Sequence, residues 1–304
     1  RRHDPALCLT KTPQETEPRG FHMKFLRFGP LGQEKPGCVD AEGRIRDLSA
    51  HISDLTPETL TKSTLAALSA LDTAKLPVVD PDVRLGACVG GVRNFYAVGL
   101  NYARHAKETG NPNPSEPVLF SKSTSCISGP NDPIILPKGS EKTDWEVELG
   151  VVIGSECQYV PEQDALEMVA GYCLINDVSE RSYQIERGGQ WIKGKSAPNF
   201  GPIGPWLVTR DEIRDPQDLR LTLSVNGVVR QESSTDDMIF TVAKIISYMS
   251  NFMRLMPGDV IATGTPEGVG LGLDPPQFLK LGDVVDLSIS GLGTQRQTVV
   301  SQPA

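Results

Sequence analysis

Histidine is scarce. Four occur in 304 residues, His3, His22, His51 and His105. That is too few for a His-rich zinc or iron centre, so a metal here is expected to be a hard cation held by oxygen. The six cysteines form no CxxC pair and no dense cluster, which fits reduced thiols rather than a disulfide framework. No apolar run approaches the roughly 18–20 residues that cross a bilayer, so a membrane protein is not expected. Basic charge is short as well. Thirty Lys and Arg against 38 Asp and Glu give a net charge of −8, which argues against a nucleic-acid partner, because phosphate binding needs a concentrated basic surface. Turn formers are plentiful, with 29 Gly and 24 Pro. They favour many short strands over a helical bundle.

Residues 1–22 are polar, with no initial Met and no apolar h-region. They read as a disordered extension or a cloning remnant rather than a signal peptide, and a cytoplasmic location is expected. Residues 23–80 predict a small N-terminal α/β domain with strands over 24–28, 37–40 and 44–48. A helix from Pro57 to Ala74 follows, capped by Thr56, with Leu60, Leu65, Leu68 and Leu71 as its apolar stripe. The proline-bearing run 76–86 reads as a linker. Residues 81–304 predict the larger domain, with strands at 93–99, 117–120, 133–136, 144–153, 171–177, 204–208, 220–225, 258–263 and 283–289. One helix over 236–253 interrupts them, capped by Thr235, with Met238, Ile239, Val242, Ile245, Ile246, Met249 and Phe252 facing the core. The expected class is α+β and β-rich, not a repeating βαβ fold.

The octapeptide 189–196, GQWIKGKS, fits the phosphate-loop pattern GxxxxGK[ST]. That loop works only where a helix opens at its Lys and Ser. Here Pro198, Pro202 and Pro205 follow at once, so nucleotide triphosphate binding is set aside.

In TDWEVELGVVIG (143–154), strand alternation places Asp144, Glu146 and Glu148 on one face and Trp145, Val147 and Leu149 on the other. The acids could line a solvated face. The apolar continuation VVIG instead suggests a central strand, in which case buried like charges need a counter-charge. Asp177 ends a second apolar strand, GYCLIND, and a helix over 178–187 would put Arg181 and Gln184 on its face. In LNYARHAKETG (100–110) a short helix, isolated and mobile, would set His105 beside Glu108 and end at Gly110. Such a pair suits either a general base or a surface ion pair.

Together, VGLNYARHAKE (98–108), VLFSKSTSCISGPNDPI (118–134), DWEVELGVVIG (144–154), GYCLINDVSERSYQ (171–184), GKS (194–196) and LMPGDVIATGTPEGVG (255–270) resemble the fumarylacetoacetate hydrolase family. The resemblance spans about residues 92–290. It implies a mixed β-sandwich-like roll, assembled as a homodimer or a dimer of dimers. It also implies Mg²⁺ or Mn²⁺ held by Glu146, Glu148 and Asp177, a catalytic His105–Glu108 pair, catalytic Lys195 and Gln184, and substrate contacts from Arg181 and Thr265. The N-terminal segment 24–52 is similar to that of bacterial hydrolases of 2,4-diketo-3-deoxy-L-rhamnonate or -fuconate. The implied reaction is hydrolysis of a C–C bond in a 2,4-diketo acid, yielding pyruvate and a carboxylic acid. Oxaloacetate decarboxylation, keto–enol isomerisation and ureidoglycolate cleavage are alternatives on the same fold, and a catalytically silent metal-binding scaffold is the non-enzyme alternative. Specificity is expected from loops 106–116 and 186–194.

Overall fold

A computed structural model describes residues 23–110 and 112–302; the expectation for 1–22 lies outside them. The first part of the chain forms β1 (Lys24–Phe28), β2 (Lys35–Val39), β3 (Ile45–Asp47), α1 (Lys62–Ser69), β4 (Phe95–Gly99) and α2 (Ala103–Glu108). Then come β5 (Val118–Lys122), β6 (Ile127–Ser128), β7 (Ile134–Leu136), β8 (Thr143–Asp144), β9 (Val147–Ile153) and β10 (Val169–Asn176). The middle holds β11 (Ser179–Glu180), α3 (Arg181–Ile185), α4 (Ile192–Lys195), β12 (Gly201–Thr209), β13 (Arg220–Val225) and β14 (Val228–Ser234). The remainder is α5 (Val242–Met249), β15 (Val260–Ala262), β16 (Val284–Ile289) and β17 (Gly293–Ser301).

These strands build two large sheets and a short β8–β11 ladder, the mixed, β-rich α+β architecture that the sequence implies. The larger runs β3-β2-β1-β12-β10-β9-β15-β4-β5, with β6 beside β12, and the smaller runs β14-β13-β16-β17-β7. Every residue of β9 and β10 is buried. Both sit mid-sheet and are covered on both faces, so the acids they carry lie inside the protein. In β13 and β16 burial alternates instead, as in a sheet with one face on the core and one in water. Strand β1 pairs with β12, so the N-terminal strands continue the large sheet.

Four expectations need correction. The first helix covers only Lys62–Ser69 and is capped by Thr61, whose hydroxyl accepts from Thr64 N at 3.2 Å. Thr56 enters a separate turn, where its N–H donates to Thr59 Oγ1. The second helix is also short: α5 is capped by Thr241 rather than Thr235. The N–H groups of Ile239 and Phe240 go instead to Asn101 O and Oδ1, each at 2.8 Å. Phe252, beyond its end, is 65 % exposed. The strand expected over 144–153 breaks into β8 and β9, because the Glu146 N–H leaves the ladder for Asn176 Oδ1. Finally, 76–86 is no loose linker, since Asp47 N bonds to Pro77 O and Gly86 N to Arg27 O. Strands β14 and β17 were not anticipated at all.

The described cysteines, Cys38, Cys88, Cys126, Cys157 and Cys173, are free and buried. Burial pushes the thiols of Cys38, Cys126 and Cys157 up to about 11, which leaves them unreactive at neutral pH.

Candidate active site

Strand β9 opens with Glu146 just before it and Glu148 within it, and Asp177 follows β10 next door. The Asp177 N–H bonds to Glu146 O at 2.9 Å, which locks the two strand ends together. Carboxylate oxygens of Glu146, Glu148 and Asp177 lie within 4.8 Å of one another, all buried.

Three cations answer these acids. Lys195 Nζ donates to Glu146 Oε2 and to Asp177 Oδ2, both at 2.8 Å. Lys122 Nζ bonds to the other oxygen of Asp177. Arg181 Nη2 lies 2.7 Å from Glu146 Oε1 and 2.8 Å from Asp144 Oδ2. Asp144 is thereby the fourth buried acid, and it also accepts from the N–H groups of Gly270 and Leu271. Arg181 does not share a helical face with Asp177. Helix α3 begins only at Arg181, and the preceding β11 is extended.

The charges are unevenly met. Burial raises the Glu146 pKa, but Lys195 and Arg181 outweigh it and hold the carboxyl well below its usual range. Glu148 goes the opposite way: burial pushes it well up, and the neighbouring Asp177 and Glu146 push it further. Among the described residues no Lys or Arg forms an ion pair with Glu148, whose Oε2 accepts from Gly264 N at 2.8 Å. Lys195, which burial alone would disfavour as a cation, is held charged by Asp177 and Glu146. With all four carboxyls ionised they exceed the three cations by one charge; that excess falls on Glu148, which burial and its acidic neighbours disfavour as an anion and which a hard divalent cation would stabilise. Its metal–oxygen bonds of about 2.1 Å need only small inward side-chain movements from the present spacing. The donor set therefore fits such an ion.

Helix α2 faces this cluster across a cavity. His105 Nδ1 lies 3.3 Å from Glu108 Oε2, so Nε2 is the nitrogen left to take a proton. Glu108 is itself fixed, accepting from Gly268 N with both oxygens, at 3.0 and 3.2 Å. The helix is thus docked on the Gly-rich turn rather than isolated, with His105 and Ala106 buried. Gly110, just past its end, has φ +72°, the left-handed value that favours glycine there.

The cavity, about 260 Å³, is lined by His105, Glu146, Glu148, Arg181, Gln184, Lys195 and Thr265, together with apolar groups from Val98, Phe120, Trp191, Val269 and Leu271. Arg181 Nη1 donates to Gln184 Oε1 at 3.0 Å, leaving the amide NH₂ of Gln184 as its donor. The Thr265 hydroxyl is already engaged, donating to Val147 O at 3.0 Å and accepting from Gln231 Nε2 at 2.8 Å. Asp177 stands behind Lys195 and does not line the cavity. Seven of the nine candidate residues line this cavity, and Glu108 and Asp177 bond to His105 and Lys195 from outside the lining.

Lys122 and Gln231 escaped the sequence reading, and Asp144, placed there on the acidic face, was given no role in the site. Lys122 had a usable signal, a charged residue closing the apolar strand VLFSK. Gln231 had none, because it sits on β14, a strand not anticipated. The phosphate-loop look-alike is accounted for as well: Gly194 packs where a Cβ would meet Gln184 N at 2.5 Å, and Lys195 points at the acids.

Residues 94–300 match the family model described as fumarylacetoacetate (FAA) hydrolase C-terminal. A relative from Burkholderia multivorans, which bears the provisional name of a hydrolase with no substrate, is 62% identical over 276 residues, 90% of this chain and 98% of the relative. The fumarylacetoacetate hydrolase structure from Exiguobacterium antarcticum is 38% identical with a TM-score of 0.83, covering 92% of this chain and 100% of that one. Maleylpyruvate hydrolase from Sphingobium sp. SYK-6, solved with manganese(II) and pyruvate, is 28% identical over 92% of this chain and 100% of that one, with a TM-score of 0.77. The 2-hydroxyhepta-2,4-diene-1,7-dioate isomerase of Mycobacterium marinum is 32% identical over 93% of this chain and 100% of that one, at 0.74. With its buried acidic cluster and two mixed sheets, the chain belongs to the fumarylacetoacetate hydrolase family.

Proposed function

We propose that this protein is a divalent-metal-dependent hydrolase that cleaves a C–C bond of a 2,4-diketo acid, releasing pyruvate and a carboxylic acid. The observation that carries the reading is the convergence on one cavity of a buried acidic triad, an ammonium group and an oriented His–Glu pair. The maleylpyruvate hydrolase neighbour, with manganese and pyruvate, supports it. Glu146, Glu148 and Asp177 would hold Mg²⁺ or Mn²⁺, which when bound supplies Lewis-acid stabilisation of the oxygen-rich end of the substrate.

The protein's own groups do the rest. His105, with its ring set by Glu108, takes a proton through Nε2 from a water, which adds to the C4 carbonyl. The Gln184 amide and the third N–H of Lys195 donate to the oxyanion that forms, a contribution of roughly 2.7–4 kcal/mol per donor. The C3–C4 bond then breaks, the acyl group leaves as an acid, and the pyruvate enolate takes a proton at C3. Arg181 donates through Nε to Asp144 and through Nη1 to Gln184, and its Nη2, beside Glu146 but without a hydrogen bond, is the donor it can offer to a substrate oxygen. Thr265 reaches a substrate carboxylate only if its hydroxyl turns away from Val147 O. Homodimeric assembly and a cytoplasmic location belong to the same reading.

The test follows pyruvate release from a panel of acylpyruvates before EDTA, after it, and after Mn²⁺ is restored. Release that survives chelation, or none from any compound, refutes the reading. An isomerase, the class of enzyme named for the Mycobacterium marinum neighbour, would need the same acids but no water. Heavy oxygen from labelled water entering the acid product separates the two.

A further inference from the structure

The cavity joins charged groups to apolar walls. Among the described residues lining it, the basic groups are His105, Arg181 and Lys195; Arg181 and Lys195 are tied to the acids at the floor, and His105 to Glu108 on α2. Apolar lining comes from Val98, Phe120, Trp191, Val269 and Leu271, with Lys195 Nζ 5.3 Å from the centre of the Phe120 ring. Phe120 and Trp191 meet edge to face, with ring centroids 5.2 Å apart. Trp191 reaches this position because residue 99 is glycine; a Cβ there would overlap the indole. Thr109, also on the lining, donates its hydroxyl back to His105 O at 3.0 Å. At the mouth stands Ile185, 53 % exposed. The volume lies below the roughly 300–1,000 Å³ of typical ligand pockets, so the occupant is small.

Resting on the acylpyruvate reading, we propose that the acyl end of the substrate is uncharged and apolar, seated against Phe120, Trp191, Val269 and Leu271, and that Trp191 limits its length. A second carboxylate would be desolvated there, and Lys195, whose Nζ lies 5.3 Å from the Phe120 ring centre, is already shared between Glu146 and Asp177. A polyhydroxylated sugar-acid chain would find few donors or acceptors to satisfy it.

Two six-carbon 2-oxo acids differ only at the distal end, 2-oxohexanoate with a methyl and 2-oxoadipate with a carboxylate. Titration calorimetry on the Mn²⁺-loaded protein should find 2-oxohexanoate bound more tightly, on the order of 100-fold. Equal binding, or preference for the diacid, overturns the proposal. Ile185→Arg, at the exposed rim, should narrow the gap by about tenfold by giving the distal carboxylate a partner. A gap that does not narrow means the distal end is not seated at this wall, which overturns the proposal. Trp191→Ala should improve 2-oxodecanoate relative to 2-oxohexanoate by about tenfold, and an unchanged ratio removes Trp191 from the role. Failure of every acylpyruvate to release pyruvate would refute the hydrolase reading, whereas the binding order of the 2-oxo acids decides this one.

Discussion

Lys122 and Asp177 form an ion pair with both side chains at 0 % exposure, and Lys122→Met removes the cation while keeping an unbranched apolar stem. Asp177 keeps Lys195 on its second oxygen, at 2.8 Å, so the loss falls at the lower end of the 3–5 kcal/mol typical of breaking a buried pair, about 3 kcal/mol. With a urea dependence near 3 kcal/mol/M, that lowers the midpoint by about 1 M in the presence of chelator. The local balance also changes. Four carboxylates, Asp144, Glu146, Glu148 and Asp177, would face only Arg181 and Lys195. A divalent ion at a hundred times its Kd stabilises a folded protein by about 2.7 kcal/mol, and Mn²⁺ should stabilise the variant more than the wild type because it meets a larger uncompensated charge. Asp177→Asn in the Lys122→Met background should recover part of the chelator-state loss. Urea titrations of the three proteins, with EDTA and with Mn²⁺, decide the matter. A Lys122→Met protein within 1 kcal/mol of wild type in chelator, or an equal metal effect on both, refutes the charge accounting.

His105→Ala should lower kcat by about 10²–10⁴-fold while Mn²⁺ binding by calorimetry stays near wild type; near-normal turnover would remove the proposed base. Gly272→Ala places a methyl against the Glu108 carboxylate, 2.7 Å from Oε2, and should cost 10- to 100-fold in kcat by moving Glu108 off Gly268 N; unchanged kcat would mean that Glu108 does not position the ring. Asp40 carries the pH prediction. Desolvation raises its pKa, but the Arg44 N–H and the Arg46 and Arg44 guanidinium groups outweigh this and hold the carboxyl well below its ordinary 3.8. Its contribution to stability is therefore complete above about 3.8 and disappears as pH falls toward the folded value. Asp40→Asn should flatten acid unfolding below that point, and superimposable acid limbs would contradict it.

Much of the site was legible because chemistry-bearing residues sat in short, strongly patterned strands. The E-x-E spacing in β9 and the apolar VVIG after it were enough to bury Glu146 and Glu148 on a common side. Long-range partners were not legible. The ion pair of Arg181 with Asp144 spans 37 positions, and nothing near Arg181 in sequence distinguishes Asp144 from Asp177 as its counter-charge. Helix ends were misread where several threonines competed: Thr56, Thr59 and Thr61 can each accept an N–H, and packing chose Thr61. Strands β14 and β17 were missed because their buried positions are largely polar, Gln231 and Ser233 in one and Gln295 and Gln297 in the other, while Val228 and Val229 are exposed. The Asn226-Gly227 pair, with φ of 51° and 77°, is the tight-hairpin signal that marked where β14 begins.

The contact between Gly99 and the indole of Trp191 ties two distant positions into a single unit of inheritance. Any descendant that acquires a side chain at 99 must shrink the one at 191, or lose the wall that closes the cavity. Across the family these two columns should therefore vary in concert, and swapping both at once should be a shorter route to a new substrate range than altering either alone.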